Sequence, residues 1–418
     1  PPLSKGDRGE FEKDLRVKSK LSLIIGLVVL MGTLLEGKVQ KQMNWQANWI
    51  WCQGDEKPQN FFLSARKKIG VGTKLRRAVA YISADSRYKL YVNGKYTCRG
   101  VAKCDPKFQY YDVSDITKSI KPGQNVIAAL IYFYGDETFS YIVGRGGFLC
   151  QIELEYANGK KEIIATDQTW KVKQAQEWLQ NTPRTSVQTG FQEIYDARVE
   201  LAGWTKLSYD DSGWDVPVII GKPPVEPWLK LIPRDIPFLA ETEILPVAVT
   251  ELGECPQPVD LNNTNGIAEI MDELHLPWDK NKINGLNNIL KKDKTYFTVN
   301  PGTSSNVYIL LDFGKEISGF YKIRLAGVAG GVVDIGYDEL LIDSRLHPGR
   351  AGVKFADRYV MKAGYQEHEQ TIHWRGFRYM QLVFRNCPKP VKLYSVSLNY
   401  YRYPAEYRGS FKCSDSML

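Results

Sequence analysis

From Trp45 onward the chain is written in short apolar runs that alternate with polar positions every second residue, and turn residues break them at close intervals. That two-residue period predicts β-strands. Arg77–Ala84 (RAVAYISA) is one strand, and Tyr88–Val92 (YKLYV) is the next. Asn93-Gly94 closes the second, because this dipeptide accepts the positive φ angles of a type I′ hairpin turn. Lys121-Pro122-Gly123-Gln124-Asn125 turns into the apolar strand Val126–Phe133. Phe148–Tyr156 and Lys161–Ala165 form a hairpin across Asn158-Gly159. Helical periodicity is nearly absent, and strands at this spacing predict a sandwich or jelly roll.

A proline-rich stretch follows, with Pro217, Pro223, Pro224, Pro227, Pro233, Pro237 and Pro246, and it predicts a domain boundary. Leu261–Lys294 is polar and irregular, with room for short helices. Asn300-Pro301-Gly302 is a turn, after which a second β block begins near Val307. Its expected strands are Val307–Asp312, Gly319–Ala326, Val332–Tyr337, Asp357–Met361, Thr371–Trp374, Tyr379–Phe384 and Val391–Tyr401, with Gly327–Gly331 as a hairpin turn. The expected division is a leader (1–42), a first sandwich (43–222), a linker with irregular chain (223–300), a second sandwich (301–408) and a closing segment (409–418).

The leader holds the apolar run Leu21–Leu35 behind Arg16, Lys18 and Lys20, which is the layout of a secretory signal. The run is short for a membrane span. Translation from such a signal implies a periplasmic or extracellular protein, and translation from Met43 a cytoplasmic one.

Composition narrows the function. The 418 residues include 24 Tyr and 10 Trp, and aromatic residues serve β-sheet packing or sugar stacking. The formal charge of +8 is spread thinly and forms no stripe, so nucleic acid is not an expected partner. The 7 cysteines are isolated, without a Cys-x-x-Cys pair, and are expected mostly as buried thiols. His368 and His373 are poorly spaced for a metal. No Gly-x-Ser-x-Gly elbow or phosphate loop occurs.

Taken in order, several segments resemble the bacterial α-L-rhamnosidases of glycoside hydrolase family 78. They are AVAYISADSRYKLYVNGKYTCRG, FQYYDVSDITKSIKPGQNVIAALI, EIYDARVELAGW with DDSGWDVPVI, LDFGKEISGFYKIRLAG, VDIGYDELL, and FADRYVMKAG with HWRGFRYMQLVF. The final GSFKCSDSML is similar to the segment that opens that family's (α/α)6 catalytic barrel. The resemblance implies an all-β chain: a galactose-binding-like jelly roll, then a second β-sandwich, with the catalytic barrel missing. It implies an inverting hydrolase of terminal α-L-rhamnose as the parent, with rhamnose-containing glycans and that barrel as partners. The rival readings are a stand-alone carbohydrate-binding or scaffolding module, and another multidomain glycosidase or lyase. The coding sequence beyond Leu418 separates them.

The loop Tyr134–Gly147 lacks the family's Gly-Asn-Gly-Trp-Tyr run, yet it mixes acids with rings. Tyr134, Asp136, Glu137, Tyr141 and Arg145 are therefore the candidate carbohydrate-binding residues. No catalytic residue is expected. Asp334, Asp338 and Glu339 imitate a glycosidase acid pair, but they are expected on a half-exposed strand whose core side is Val333, Ile335 and Tyr337. Asp210-Asp211-Ser212-Gly213-Trp214 is a calcium candidate by composition and, more simply, a capped turn. In Arg375-Gly376-Phe377-Arg378-Tyr379, one arginine is expected to pair with Asp357.

Overall fold

The structure is a computed structural model. It describes residues 43–415 apart from 258–259, 273–274, 301–304 and 407. The leader, with its apolar run, and the turn at Pro301-Gly302 lie outside the described residues. No helix among the described residues is long and apolar enough to cross a membrane.

Two sheets face each other in the first sandwich. One runs in the order Val218–Gly221, Trp49–Trp51, Gly147–Tyr156, Leu75–Asp85, Phe108–Asp115, Lys230–Pro233, with Lys161–Ala165 also paired to Gly147–Tyr156. The other runs Lys171–Gln174, Phe61–Val71, Gly123–Phe133, Arg87–Val92, Lys95–Gly100. The alternation read from RAVAYISA has its physical counterpart here: Ala78, Ala80, Ile82 and Ala84 all join the core between the sheets. Trp51 and Trp170 are buried in that core, so these rings serve packing. The Asn93-Gly94 turn has φ of 53° and 79°, as a type I′ turn requires. The Asn93 side chain adds three bonds: it accepts from Val126 N (3.0 Å) and donates to Ser119 O (2.9 Å) and Asn125 Oδ1 (2.8 Å).

The second sandwich is organised by one long strand, Ser305–Gly327. Its first half pairs with Ala248–Pro256 and Arg375–Arg385, and its second half with Val391–Arg402 and Gly364–Glu369. The register shifts between Asp312 and Ile317, around Gly314 with φ 81°. This bulge lets one strand serve both layers. The two strands expected on either side of it are thus one. Gly327–Gly331 is consequently a crossover rather than a hairpin turn: Val332–Asp338 pairs with Arg375–Arg385 and Ala356–Val360, not with the strand that precedes it. Ile309, Leu311, Val333, Ile335, Tyr337, Leu382, Ile323 and Leu398 fill the core between the layers.

The strand Val332–Asp338 departs from expectation on its other face. All seven residues are buried. The short helix Ile267–Met271, from the stretch that reads as polar, packs with Tyr308, Ala356 and Val383 and covers that face. Asp334 is fully buried and is neutralised by two guanidiniums. Arg358 bonds it through Nε (2.6 Å) and Nη2 (3.0 Å), and Arg385 through Nε (2.8 Å).

The expected linker is woven into both sandwiches. Lys230–Pro233 pairs in parallel with Phe108–Asp115, Ala240–Ile244 with Val391–Arg402, and Ala248–Pro256 with Ser305–Gly327. In the opposite sense, Ile194–Asp196 leaves the first sandwich to pair in parallel with Ala356–Val360. Sheet edges present unpaired N–H and C=O groups, and passing chain satisfies them. The described residues from Gln46 onward accordingly form one compact unit. All seven cysteines are free, and Cys98, Cys150, Cys255 and Cys387 are buried.

Breaking a buried ion pair on one side leaves uncompensated charge. Asp334→Asn is therefore expected to cost about 3–5 kcal/mol in a urea denaturation followed by circular dichroism. A midpoint equal to that of the parent chain would show that solvent or other groups reach the Arg358 and Arg385 guanidiniums.

Candidate functional site

Where the two sandwiches meet, the structure has a cleft of about 460 Å³. The loop after Gly123–Phe133 supplies Tyr134, Thr138 and Ser140, and the segment 185–190 forms another side. The second sandwich contributes Asp338 and Glu339 from a strand end, Arg350, and the run His373–Gly376 at the start of Arg375–Arg385. Three sequence motifs that are far apart along the chain thus converge on one hollow.

Beneath the cleft lies a buried joint. Arg375 donates to Asp357 through Nη2 (2.6 Å) and Nε (3.1 Å), and also to Phe191 O (3.3 Å). Burial alone lowers the pKa of Arg375, but the Asp357 carboxylate more than reverses this, and the guanidinium stays charged. Asp357 also accepts from Glu193 N (2.7 Å) and Gln370 Nε2 (3.2 Å). Glu193 accepts from Thr371 N (3.0 Å), and burial, followed by repulsion from Asp357, pushes its carboxyl up to about 7. His373 packs edge-on to Tyr132 and lies 3.3 Å from the Tyr134 hydroxyl through Nδ1. Burial, with Arg375 and Arg87 nearby, holds its pKa well below the usual range, so the ring is neutral. Gly190 is needed against it, since a Cβ there would come within 2.5 Å of His373 Cε1.

Of the five candidate sugar-binding residues, Tyr134 alone borders the cleft. Tyr141 lies behind it, stacked at 4.8 Å, and its hydroxyl donates to Asp85 Oδ1 at 2.5 Å. Asp136 Oδ2 accepts from Arg184 Nη1 (3.1 Å), and the Glu137 carbonyl accepts from Arg184 Nη2 (2.9 Å), which ties the loop to the 185–190 segment. The Arg145 side chain pairs with Glu56 at 3.0 Å, while its backbone N–H donates to the Asp85 carboxylate that Tyr141 also bonds.

Asp338 is nearly fully buried and held by Arg350 at 3.2 Å, whereas Glu339 next to it is exposed. Burial, and then the charges of Glu339 and Asp338, raise the pKa of neighbouring Glu316, so this wall is acidic. The Arg375–Asp357 pair expected from the sequence is present. His373 was noted only as a poorly spaced metal ligand, and Trp374 and the 185–190 segment were not singled out. A polar loop such as Thr185-Ser186-Val187-Gln188-Thr189-Gly190 carries no local signal of what it will face. At the calcium candidate, Asp210 Oδ1 caps Ser212 N (3.0 Å), and Asp211 is engaged by Arg66 and by Lys68 (3.2 Å). Trp214 packs on Trp204 and Tyr209. Among the described residues there is no group of three or more His, Cys, Asp or Glu able to hold a metal.

Residues 73–235 match the family model of the α-L-rhamnosidase N-terminal domain, and residues 303–397 match that of the bacterial α-L-rhamnosidase concanavalin-like domain. The chain belongs to the α-L-rhamnosidase family. An α-L-rhamnosidase of Streptomyces avermitilis is 24% identical over 326 residues, covering 74% of this chain and 25% of that protein. One of Formosa agariphila is 22% identical over 379 residues, covering 84% of this chain and 33% of that protein. The chain therefore spans only about a quarter to a third of the length of these rhamnosidase relatives. The same fold occurs in the family 78 rhamnosidase of Bacillus sp. GL1, with a TM-score of 0.80 at 22% identity over 90% of this chain and 57% of that one. The α-L-rhamnosidase of Dictyoglumus thermophilum gives 0.62 at 21% identity over 90% of this chain and 37% of that one.

The joint makes stability depend on pH in this rhamnosidase-family chain. Because Glu193 titrates higher when folded than its ordinary 4.5, its protonated form favours the folded state. That stability is fully present below about 4.5 and is lost as pH rises through about 7. Glu193→Gln keeps an acceptor for Thr371 N, and should raise the melting temperature at pH 8 by a few degrees while leaving it nearly unchanged at pH 4. Equal shifts at both pH values in a calorimetric scan would rule out titration of Glu193 as the cause.

Proposed function

We propose that this chain is the non-catalytic β-sandwich portion of an α-L-rhamnosidase-like glycoside hydrolase that acts on terminal α-L-rhamnosyl residues of glycans or glycosides. Glycosidic cleavage is then the task of a barrel domain and not of the two sandwiches. One observation carries this reading: the acids lining the cleft, Asp338 and Glu339, are neighbours in sequence. Two successive Cα atoms are about 3.8 Å apart, so both acids stand on one wall. A glycosidase needs two carboxyls that flank the scissile bond, about 5–5.5 Å apart for retention or about 6.5–9.5 Å for inversion. Asp338 is, moreover, already tied to Arg350, and Asp334 and Asp357 are closed by guanidiniums.

The cleft also favours a second reading, a carbohydrate-binding module. Glu339, Gln188, Thr138 and Ser140 offer hydroxyl partners, and Trp374, 39% exposed, offers an aromatic edge. In that reading the hollow, with Tyr134 as the one contributor from the five-residue loop set, holds a rhamnose-containing glycan.

The 418-residue chain should release no nitrophenol from an aryl α-L-rhamnoside above the uncatalysed rate. Turnover that co-purifies with the chain and disappears in Glu339→Gln would overturn the non-catalytic assignment. A rhamnose-dependent shift of tryptophan emission, lost in Trp374→Ala, would favour the binding module.

A further inference from the structure

Lys103 and Trp374 border the cleft on one side and a second hollow on the other. This second hollow measures about 260 Å³ and has a different chemistry. Its wall is apolar, formed chiefly by Val101, Ile236, Phe320, Ile372 and Tyr401 together with the Trp374 ring. Four cations border it: Arg87, Arg99, Lys103 and Arg234.

Two of these cations are neutralised. Arg99 pairs with Glu369 (2.7 Å) and Glu241 (3.1 Å), and Arg234 with Asp112 (2.5 Å). The other two have no carboxylate at ion-pair distance among the described residues. Arg87 is only 9% exposed, and its Nη1 donates to two backbone carbonyls, Ser86 O (3.0 Å) and Val101 O (3.2 Å). Lys103 Nζ stands 5.4 Å from the centre of the Trp374 ring. Burial, and then the charge of Arg87, lower the pKa of Lys103, so the two cations feel each other.

A guanidinium this deep is ordinarily kept with an anion, because its desolvation is otherwise uncompensated. Carbonyl oxygens solvate Arg87 without cancelling its charge, and the nearest acid that feels it, Asp112, is already paired with Arg234. The polar end of the hollow therefore carries a net positive potential, focused by an apolar wall. We propose that this hollow binds a small organic anion: a carboxylate held by Arg87 and Lys103, with an aromatic or aliphatic body against Val101, Ile236 and the Trp374 ring. Neither a neutral sugar nor an apolar molecule without charge answers both halves of the site.

The test is isothermal titration calorimetry on the full chain with 2-naphthylacetate, its primary amide and 2-naphthylethylamine. The acid should bind with a Kd of about 1 mM or tighter, and the amide about tenfold more weakly, as loss of a charge-assisted contact implies. The amine should give no heat, and added salt should weaken the acid. Arg87 is buried and its replacement disturbs packing, so the variants are chosen at the rim. Lys103→Gln should lose about tenfold in affinity for the acid. Ile236→Glu, at a position 48% exposed, should abolish binding by placing a negative charge in the hollow. Both should melt within a few degrees of the parent. The proposal is overturned if the acid gives no heat, if acid and amide bind alike, or if either variant binds the acid like the parent.

Discussion

The buried pair of Arg375 and Asp357 is the contact on which the joint between the sandwiches depends. Charge of this kind is costly to take out of water, so its partners must be placed with care. Asp357 collects Arg375, the Glu193 amide and the Gln370 side chain, while Arg375 reaches on to Phe191 O. Glu193 and Phe191 come from the chain leaving the first sandwich, and Asp357 and Arg375 from two strands of the second. An apolar contact would tolerate sliding, but a bidentate pair with satisfied lone pairs does not. The orientation of His373, Trp374 and Gly376, which follow from the position of Arg375, is fixed along with it.

A second set of charges reinforces the same seam from its more exposed side. Lys89 and Arg99, on the two strands of the Asn93-Gly94 hairpin, both reach Glu369, and Arg99 also reaches Glu241 and Thr371 O. The predicted type I′ turn thus does more than connect two strands. Its twist sets the direction in which both cations leave the sheet. Arg99 additionally lies 3.8 Å over the Phe320 ring, so the cation is screened by an aromatic face while it is shared between two acids.

Features carried by neighbouring residues were legible in the sequence, and features carried by distant ones were not. The alternation in RAVAYISA names Ala78, Ala80, Ile82 and Ala84 as core, and Val333, Ile335 and Tyr337 were readable in the same way. Burial of Asp334 was not readable: what covers it is Ile267–Met271, some sixty positions upstream, and a short helix expected in that irregular stretch carries no signal of the face on which it docks. The bulge at Gly314 was likewise hidden, since two short strands and one bent strand write the same pattern. The candidate site shows this limit most clearly. The acids and rings of the Tyr134–Gly147 loop looked like one cluster, yet Tyr141 turns inward to Asp85 and Asp136 turns to Arg184. Apart from Thr138 and Ser140 of the same loop and Lys103 before it, what faces the cleft beside Tyr134 comes from chain 50 to 240 residues away. Family resemblance supplied the architecture, and could not supply these contacts.

The exchange of strands between the sandwiches bears on how such a protein can be inherited. Ile194–Asp196 is lent forward to the second sheet, while Lys230–Pro233 returns to the first before Ala240–Ile244 enters the second again. A recombination breakpoint anywhere between these segments would deliver one sheet without its borrowed strand and leave the lender with an orphan. The exposed backbone edge so created is a template for aggregation. The pair is thus a single cassette for gene shuffling. New specificities are gained more safely by exchanging loops such as 134–147 and 185–190 than by trading one sandwich for another.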